Sequence, residues 1–181
     1  MNSAGRCRFE GGTAGVAEVV PSSPTAPAVA LLIDFDNVTI GVRSNVADEL
    51  NKLLESDIIR GKVAVQRAYT DWRRFPQFIA PLSELSIELI FAPSSGSGQR
   101  HATVMRLAID ALELAFTRPD IGVFILLSGN SHLSALVFKL KEHGKNVIGV
   151  GNRGSASMEL SQACDEYYWY DELIGPSGIT Q

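Results

Sequence analysis

Cysteine is almost missing from this 181-residue sequence, with only Cys7 and Cys164 present. Two such distant residues build neither a disulfide framework nor a CxxC metal knuckle, and this usage points to a reducing, cytoplasmic setting. Histidine is scarce too: His101, His132 and His143 show no zinc-ligand spacing. Basic charge is not in excess. Lys and Arg number 16 against 20 Asp and Glu, a formal charge of -4, so a polyanionic partner would need a local patch. Apolar runs are short. Ala28–Ile33 and Val123–Leu127 fall far below the ~20 residues of a spanning helix, so no membrane partner is expected. Arg6 and Arg8 precede Gly and Ala rather than a compact apolar stretch, which speaks against a secretory leader.

What is present is an alternation. Residues 1–27 read as a tail rich in Gly, Ala, Ser and Pro, residues 28–174 as one α/β domain, and residues 175–181 as a short C-terminal tail. Strands are expected at 28–34, 62–69, 87–92, 121–128 and 146–150, with a short aromatic one at 166–170. The first, fourth and fifth are nearly continuous apolar runs, as parallel strands covered on both faces should be. Helices are expected at 47–55, roughly 75–85, 102–116, 131–143 and 158–164. Within them Met105, Ala108, Ile109, Leu112 and Ala115 recur at helical spacing and are assigned to the core, as are Leu133, Leu136, Val137 and Leu140. Gly144 reads as a helix stop.

Alternating strands and helices give a parallel sheet with helices on both faces, whose ligands sit beyond the carboxyl ends of the strands. Those ends are polar here. The first strand empties into Asp34-Phe35-Asp36-Asn37, the second into Asp71-Trp72-Arg73-Arg74, and the fourth into Ser128-Gly129-Asn130-Ser131-His132. A persisting pleat would put Asp34 and Asp36 on one face, where they would serve either as Mg²⁺ or Mn²⁺ ligands or as local caps. Trp72 beside two arginines would either stack a base or cover a core edge. The Ser94–Gly98 loop lacks the Lys-Ser/Thr ending of a phosphate-binding P-loop, while Arg100 and His101 after it could reach a phosphate. Gly129-Asn130-Ser131-His132-Leu133 is not a nucleophile elbow, and Ser131 reads as a helix N-cap.

Five segments, Leu32–Asn37, Arg67–Trp72, Arg106–Ala115, Ser128–His132 and Val147–Gly151, occur in the order and at about the spacings of the NYN domain family. From Ala28 to about Leu173 the chain resembles that family, and more narrowly the LabA-like branch of the PIN-like nuclease superfamily. The resemblance implies a three-layer α/β/α Rossmann-like fold with a mainly parallel five- to six-stranded sheet in order 3-2-1-4-5. It also implies a carboxylate cluster holding Mg²⁺ or Mn²⁺ and hydrolysis of RNA by metal-activated water. Asp34 matches the first metal-binding acid, Asn37 the Asn that orients the site, Asp71 and Trp72 the segment after the second strand, and His101 a usual Lys. The chain also departs from the pattern. Val104, Asn130 and His132 stand where the family has acids, and Asp110, six residues past Val104, lies about 240° further round the helix.

The resulting expectation is a degenerate site. Asp34 and Asp36 remain as metal candidates, with Asn37, Asn130 and His132 beside them and Asp71, Trp72, Arg73, Arg100, His101, Ser128 and Ser131 available to substrate. Mg²⁺ or Mn²⁺ would bind weakly, and His132 would favour Mn²⁺ or Zn²⁺ over Mg²⁺. Three readings follow: an RNA-binding or regulatory module with weak or no cleavage, an active ribonuclease with an altered site, or a dimerisation scaffold.

Overall fold

The computed structural model describes residues 26–38, 45–93 and 99–175. The N-terminal tail to residue 25, the Ser94–Gly98 loop, the side chain of Arg100 and residues 176–181 lie outside the described residues. The described strands are β1 (Ala28–Asp34), β2 (Val63–Thr70), β3 (Glu88–Phe91), β4 (Ile121–Leu127), β5 (Asn146–Gly151) and β6 (Glu166–Trp169). The helices are α1 (Phe35–Val38), α2 (Val46–Leu54), α3 (Ile79–Glu84), α4 (Gln99–Thr117), α5 (Leu133–Glu142), α6 (Met158–Ala163) and α7 (Tyr170–Leu173).

The six strands form one parallel sheet in the order β3-β2-β1-β4-β5-β6, which is the expected order with β6 added beyond β5. β1 is central, and its side chains alternate between two cores with the period of two that a strand imposes. Val29, Leu31 and Ile33 pack with Leu50 and Leu53 of α2 and Leu82 of α3. Ala30 and Leu32 pack with Leu107 and Ala111 of α4, Val137 of α5 and Leu160 of α6. Each fully buried Leu or Ile contributes roughly 1.5–3 kcal/mol relative to exposure, so covering both faces of β1 is what fixes the three layers.

One local difference has a clear cause. The helix expected over 75–85 opens as a 3₁₀ turn at Pro76–Phe78, itself preceded by another at Trp72–Arg74, before α3 begins. Phe75 precedes Pro76 and sits at φ -133, outside the helical region that a following proline disfavours. The expected stop after α5 is present: Gly144 adopts φ +70, and Lys145 N–H returns to Leu140 O at 3.1 Å. A second difference concerns α4. Its core face is Val104, Leu107, Ala111 and Leu114, whereas Met105 and Ile109, assigned to the core from their spacing, are 63% and 58% exposed.

Candidate functional site

Strand order reverses between β1 and β4, since the chain builds outward through β2 and β3 on one side and through β5 and β6 on the other. At such a point the loops leaving neighbouring strands diverge and open a crevice. Here the crevice is a polar cleft of about 380 Å³ lined by Asp34, Asp36 and Asn37 from the end of β1, Gly129, Asn130 and Ser131 after β4, and Ser155 and Ser157 after β5.

The pleat of β1 ends at Asp34, because α1 starts at Phe35. Asp34 and Asp36 therefore reach the cleft from a strand end and a helical turn, not from one strand face. Asp34 is buried, and its Oδ2 accepts the Ser128 hydroxyl at 2.7 Å. Asp36 faces the other side. Its Oδ1 accepts from Thr70 Oγ1 at 3.1 Å and from Arg74 Nη1 at 2.7 Å, and its Oδ2 accepts from Thr103 Oγ1 at 2.9 Å. Thr70 and Thr103 were not assigned to the site from sequence, and Arg74 was noted only beside Trp72, not as a partner of Asp36. A threonine pair framing a carboxylate leaves no local pattern, since the three residues come from β2, α4 and the turn after β2.

Asn37 ties the crevice together. Its Oδ1 accepts from Gly129 N–H and from the Ser155 hydroxyl, both at 3.0 Å, so one amide spans the loops after β4 and β5. Gly129 permits this closure: a Cβ there would meet Ser155 O at 2.3 Å and Ala156 Cα at 2.9 Å.

The loop after β4 forms a short relay. Ser128 Oγ, already bonded to Asp34, accepts Asn130 N–H at 3.1 Å. Asn130 Oδ1 accepts His132 N–H at 3.0 Å and lies 2.9 Å from His132 Nδ1. Asn130 thus closes an Asx turn onto the backbone two residues on, and neither it nor Ser131 caps α5, whose N-cap position is His132 without a side-chain cap. Ser131 instead lines the cleft. His132 is exposed, and its ring lies 5.3 Å from that of His101, also exposed, at the start of α4.

The residues after β2 are placed differently. Trp72 is 7% exposed, packs on Phe35 at 5.1 Å and donates its indole N–H to Ile90 O at 3.0 Å. It covers a core edge and has no open face for a base, so the stacking alternative is overturned. Asp71 is buried, caps the following 3₁₀ turn and holds Arg73 through two bonds of 2.8 and 2.6 Å. Neither residue lines the cleft. Arg74 is the basic side chain of this segment that reaches the cleft's acids.

On α4 the geometry shifts the expectation by one residue. Val104 is 6% exposed and belongs to the core beside Leu107 and Ala111. The α4 side chain that touches Asp36 is Thr103. Asp110 is buried well away from the cleft, 2.9 Å from Arg106 Nε and 3.7 Å from Arg67. Burial, and then the Asp110 carboxylate, push the neighbouring Tyr69 phenol far above its usual range.

A Mg²⁺ or Mn²⁺ ion fits this donor set poorly. Hard cations need several oxygen donors with enough negative charge to offset their dehydration. Asp34 and Asp36 are engaged by hydroxyl and guanidinium donors on opposite sides, and Arg74 competes directly for Asp36 Oδ1. Among the described residues, no group of three or more His, Cys, Asp or Glu is arranged to hold a metal ion.

A parallel three-layer α/β domain with a polar cleft at its topological switch point is the class of protein that fold and site define. Residues 28–171 match the NYN domain family, and the chain belongs to it. It is 28% identical over 142 residues to an uncharacterized protein of Methanocaldococcus jannaschii, a match covering 76% of this chain and 52% of that one. The chain thus spans about half the length of the curated relative it matches. Its fold is also that of a crystallised protein of unknown function from Vibrio parahaemolyticus, at a TM-score of 0.67 and 24% identity, covering 83% of this chain and 97% of the other. Among the described residues no helix is long and apolar enough to cross a membrane.

Proposed function

We propose that this NYN domain, read as a LabA-like member of the PIN-like superfamily, binds single-stranded RNA at the β1–β4 cleft and cleaves it weakly or not at all. The observation that carries the reading is the state of Asp36. A carboxylate that holds a hard cation must offer it an oxygen, yet both oxygens of Asp36 already accept hydrogen bonds, from two threonine hydroxyls and an arginine. In this reading Asp34 and Asn37 hold the cleft in shape rather than drive hydrolysis. Asn130, Ser131, His132, His101 and Arg74 meet the phosphodiester backbone, with Ser128 positioning Asn130. Any Mg²⁺ or Mn²⁺ binds weakly, and the setting is cytoplasmic.

A second reading is an active Mn²⁺-dependent ribonuclease with an altered site built on Asp34, Asp36, Asn130 and His132. The contact between the His132 and His101 rings favours it, because imidazoles suit Mn²⁺ better than Mg²⁺. One experiment separates the two. A labelled RNA oligonucleotide is titrated with protein in EDTA, then incubated with Mg²⁺ or Mn²⁺ using wild type, Asp34→Ala and the triple variant Thr103→Asp/Asn130→Asp/His132→Asp. The RNA-binding reading expects saturable binding by wild type, no metal-dependent cutting, and cutting that appears only in the triple variant. Cutting by wild type with Mn²⁺ that Asp34→Ala abolishes would establish the ribonuclease instead.

A further inference from the structure

We propose that two copies of this chain pair through α4, antiparallel and about a two-fold axis. Met105, Ile109 and Phe116 are 63%, 58% and 63% exposed, and Leu112 between them is partly buried. At about 100° per residue these four side chains fall within an arc of roughly 60°, on the side of α4 turned away from the sheet. Single exposed apolar residues are ordinary, but a continuous stripe of four large ones on one helix marks an interaction surface.

The spacing points to a second copy as the occupant. The stripe runs 4-3-4, a pattern unchanged by reversal. An antiparallel neighbour therefore sets Met105 against Phe116 of the partner subunit and Ile109 against Leu112 of the partner subunit, apolar against apolar along its whole length. The flanking charges are self-complementary as well. Arg106 and Glu113 lie on the same flank of the stripe, and in a two-fold antiparallel pair the same flanks adjoin. Arg106, half exposed, then comes beside the exposed Glu113 of the partner subunit, and the reverse pair forms too. In a parallel two-fold pair opposite flanks adjoin, so Arg106 and Glu113 would not meet across the interface. A contact along one helix falls short of the ~800 Å² per partner of a standard interface, so the pairing is reversible. Its dissociation constant is expected on the order of 10 μM.

The test uses the full chain. Sedimentation equilibrium from about 1 to 200 μM should show a monomer–dimer equilibrium. Ile109→Glu, a change at an exposed position, should lower the dimer fraction at least tenfold while leaving the circular dichroism spectrum and the melting of the monomer unchanged. The register is checked in a Cys7→Ser/Cys164→Ser background carrying either Met105→Cys or Phe116→Cys. Mixing the two proteins under mild oxidation should yield a disulfide-linked heterodimer, with little cross-linking of either alone. A monomer at every concentration overturns the proposal, whether the stripe is covered by the chain's own N-terminal residues or by a different protein. So does a dimer that survives Ile109→Glu and fails to cross-link in the mixture.

Discussion

Thr103 and Val104 are adjacent on α4 and face opposite environments, which makes them a direct probe of where the site begins. The Thr103 hydroxyl is 2.9 Å from Asp36 Oδ2, while Val104 sits in the core. Val104→Asp would bury a carboxylate among Leu107 and Ala111 with no counter-charge, so unfolding free energy in urea should fall by about 3 kcal/mol or more. Thr103→Asp should behave otherwise. It sets a second carboxylate against Asp36, costing roughly 1–3 kcal/mol through repulsion and the lost hydrogen bond. Added Mn²⁺ should then raise its melting temperature, because a cation relieves that repulsion, and should leave Val104→Asp unchanged. Equal responses in both variants would mean that α4 meets the cleft in a different register.

At the scale of elements, the cleft exists because the loops after β4 and β5 can touch. Gly129→Ala would drive a Cβ to within 2.3 Å of Ser155 O, a backbone atom that cannot rotate away. The loops must separate, and Asn37 then loses its contacts with Gly129, Ser155 or both. The expected cost is about 1–3 kcal/mol, with RNA binding lost. Ser155→Ala removes a single hydroxyl, and about 1 kcal/mol is expected. Chemical denaturation and RNA titration of the two variants measure the difference. The strands were legible to within a residue or two because long apolar runs bounded by polar turns leave few alternatives. The position of the cleft was legible as well, since the expected strand order puts β1 beside β4. The face of α4 was not. Met105, Ile109, Leu112 and Phe116 form one helical stripe and Val104, Leu107, Ala111 and Leu114 another, centred about 150° apart. Period alone cannot say which meets the sheet. Trp72 was ambiguous for a related reason: its neighbours Asp71, Arg73 and Arg74 are polar, but the chain turns there and tucks the indole under Ile90.

At the scale of the molecule, a formal charge of -4 must be reconciled with the polyanionic ligand proposed for the cleft. Many of the described basic side chains are already matched by acids, including Arg60 with Glu166, Arg67 with Glu88, Arg118 with Asp120 and Lys141 with Asp165. Near the cleft, Arg74 stands out, itself bonded to Asp36. RNA binding as proposed at this site would therefore rest on one or two charge contacts plus hydrogen bonds from loop amides and hydroxyls. Each neutralised phosphate on a single strand contributes a slope of about -0.7 in log affinity against log salt. With two contacts, a tenfold rise in salt should weaken binding by about 25-fold, a shallow dependence for a nucleic-acid ligand. Arg74→Ala should flatten the slope by about 0.7, and fluorescence anisotropy across a salt series reads both quantities. A slope steeper than about -3 would require more than four phosphate contacts. The cleft cannot supply that many, so the RNA would then be held mainly by another surface.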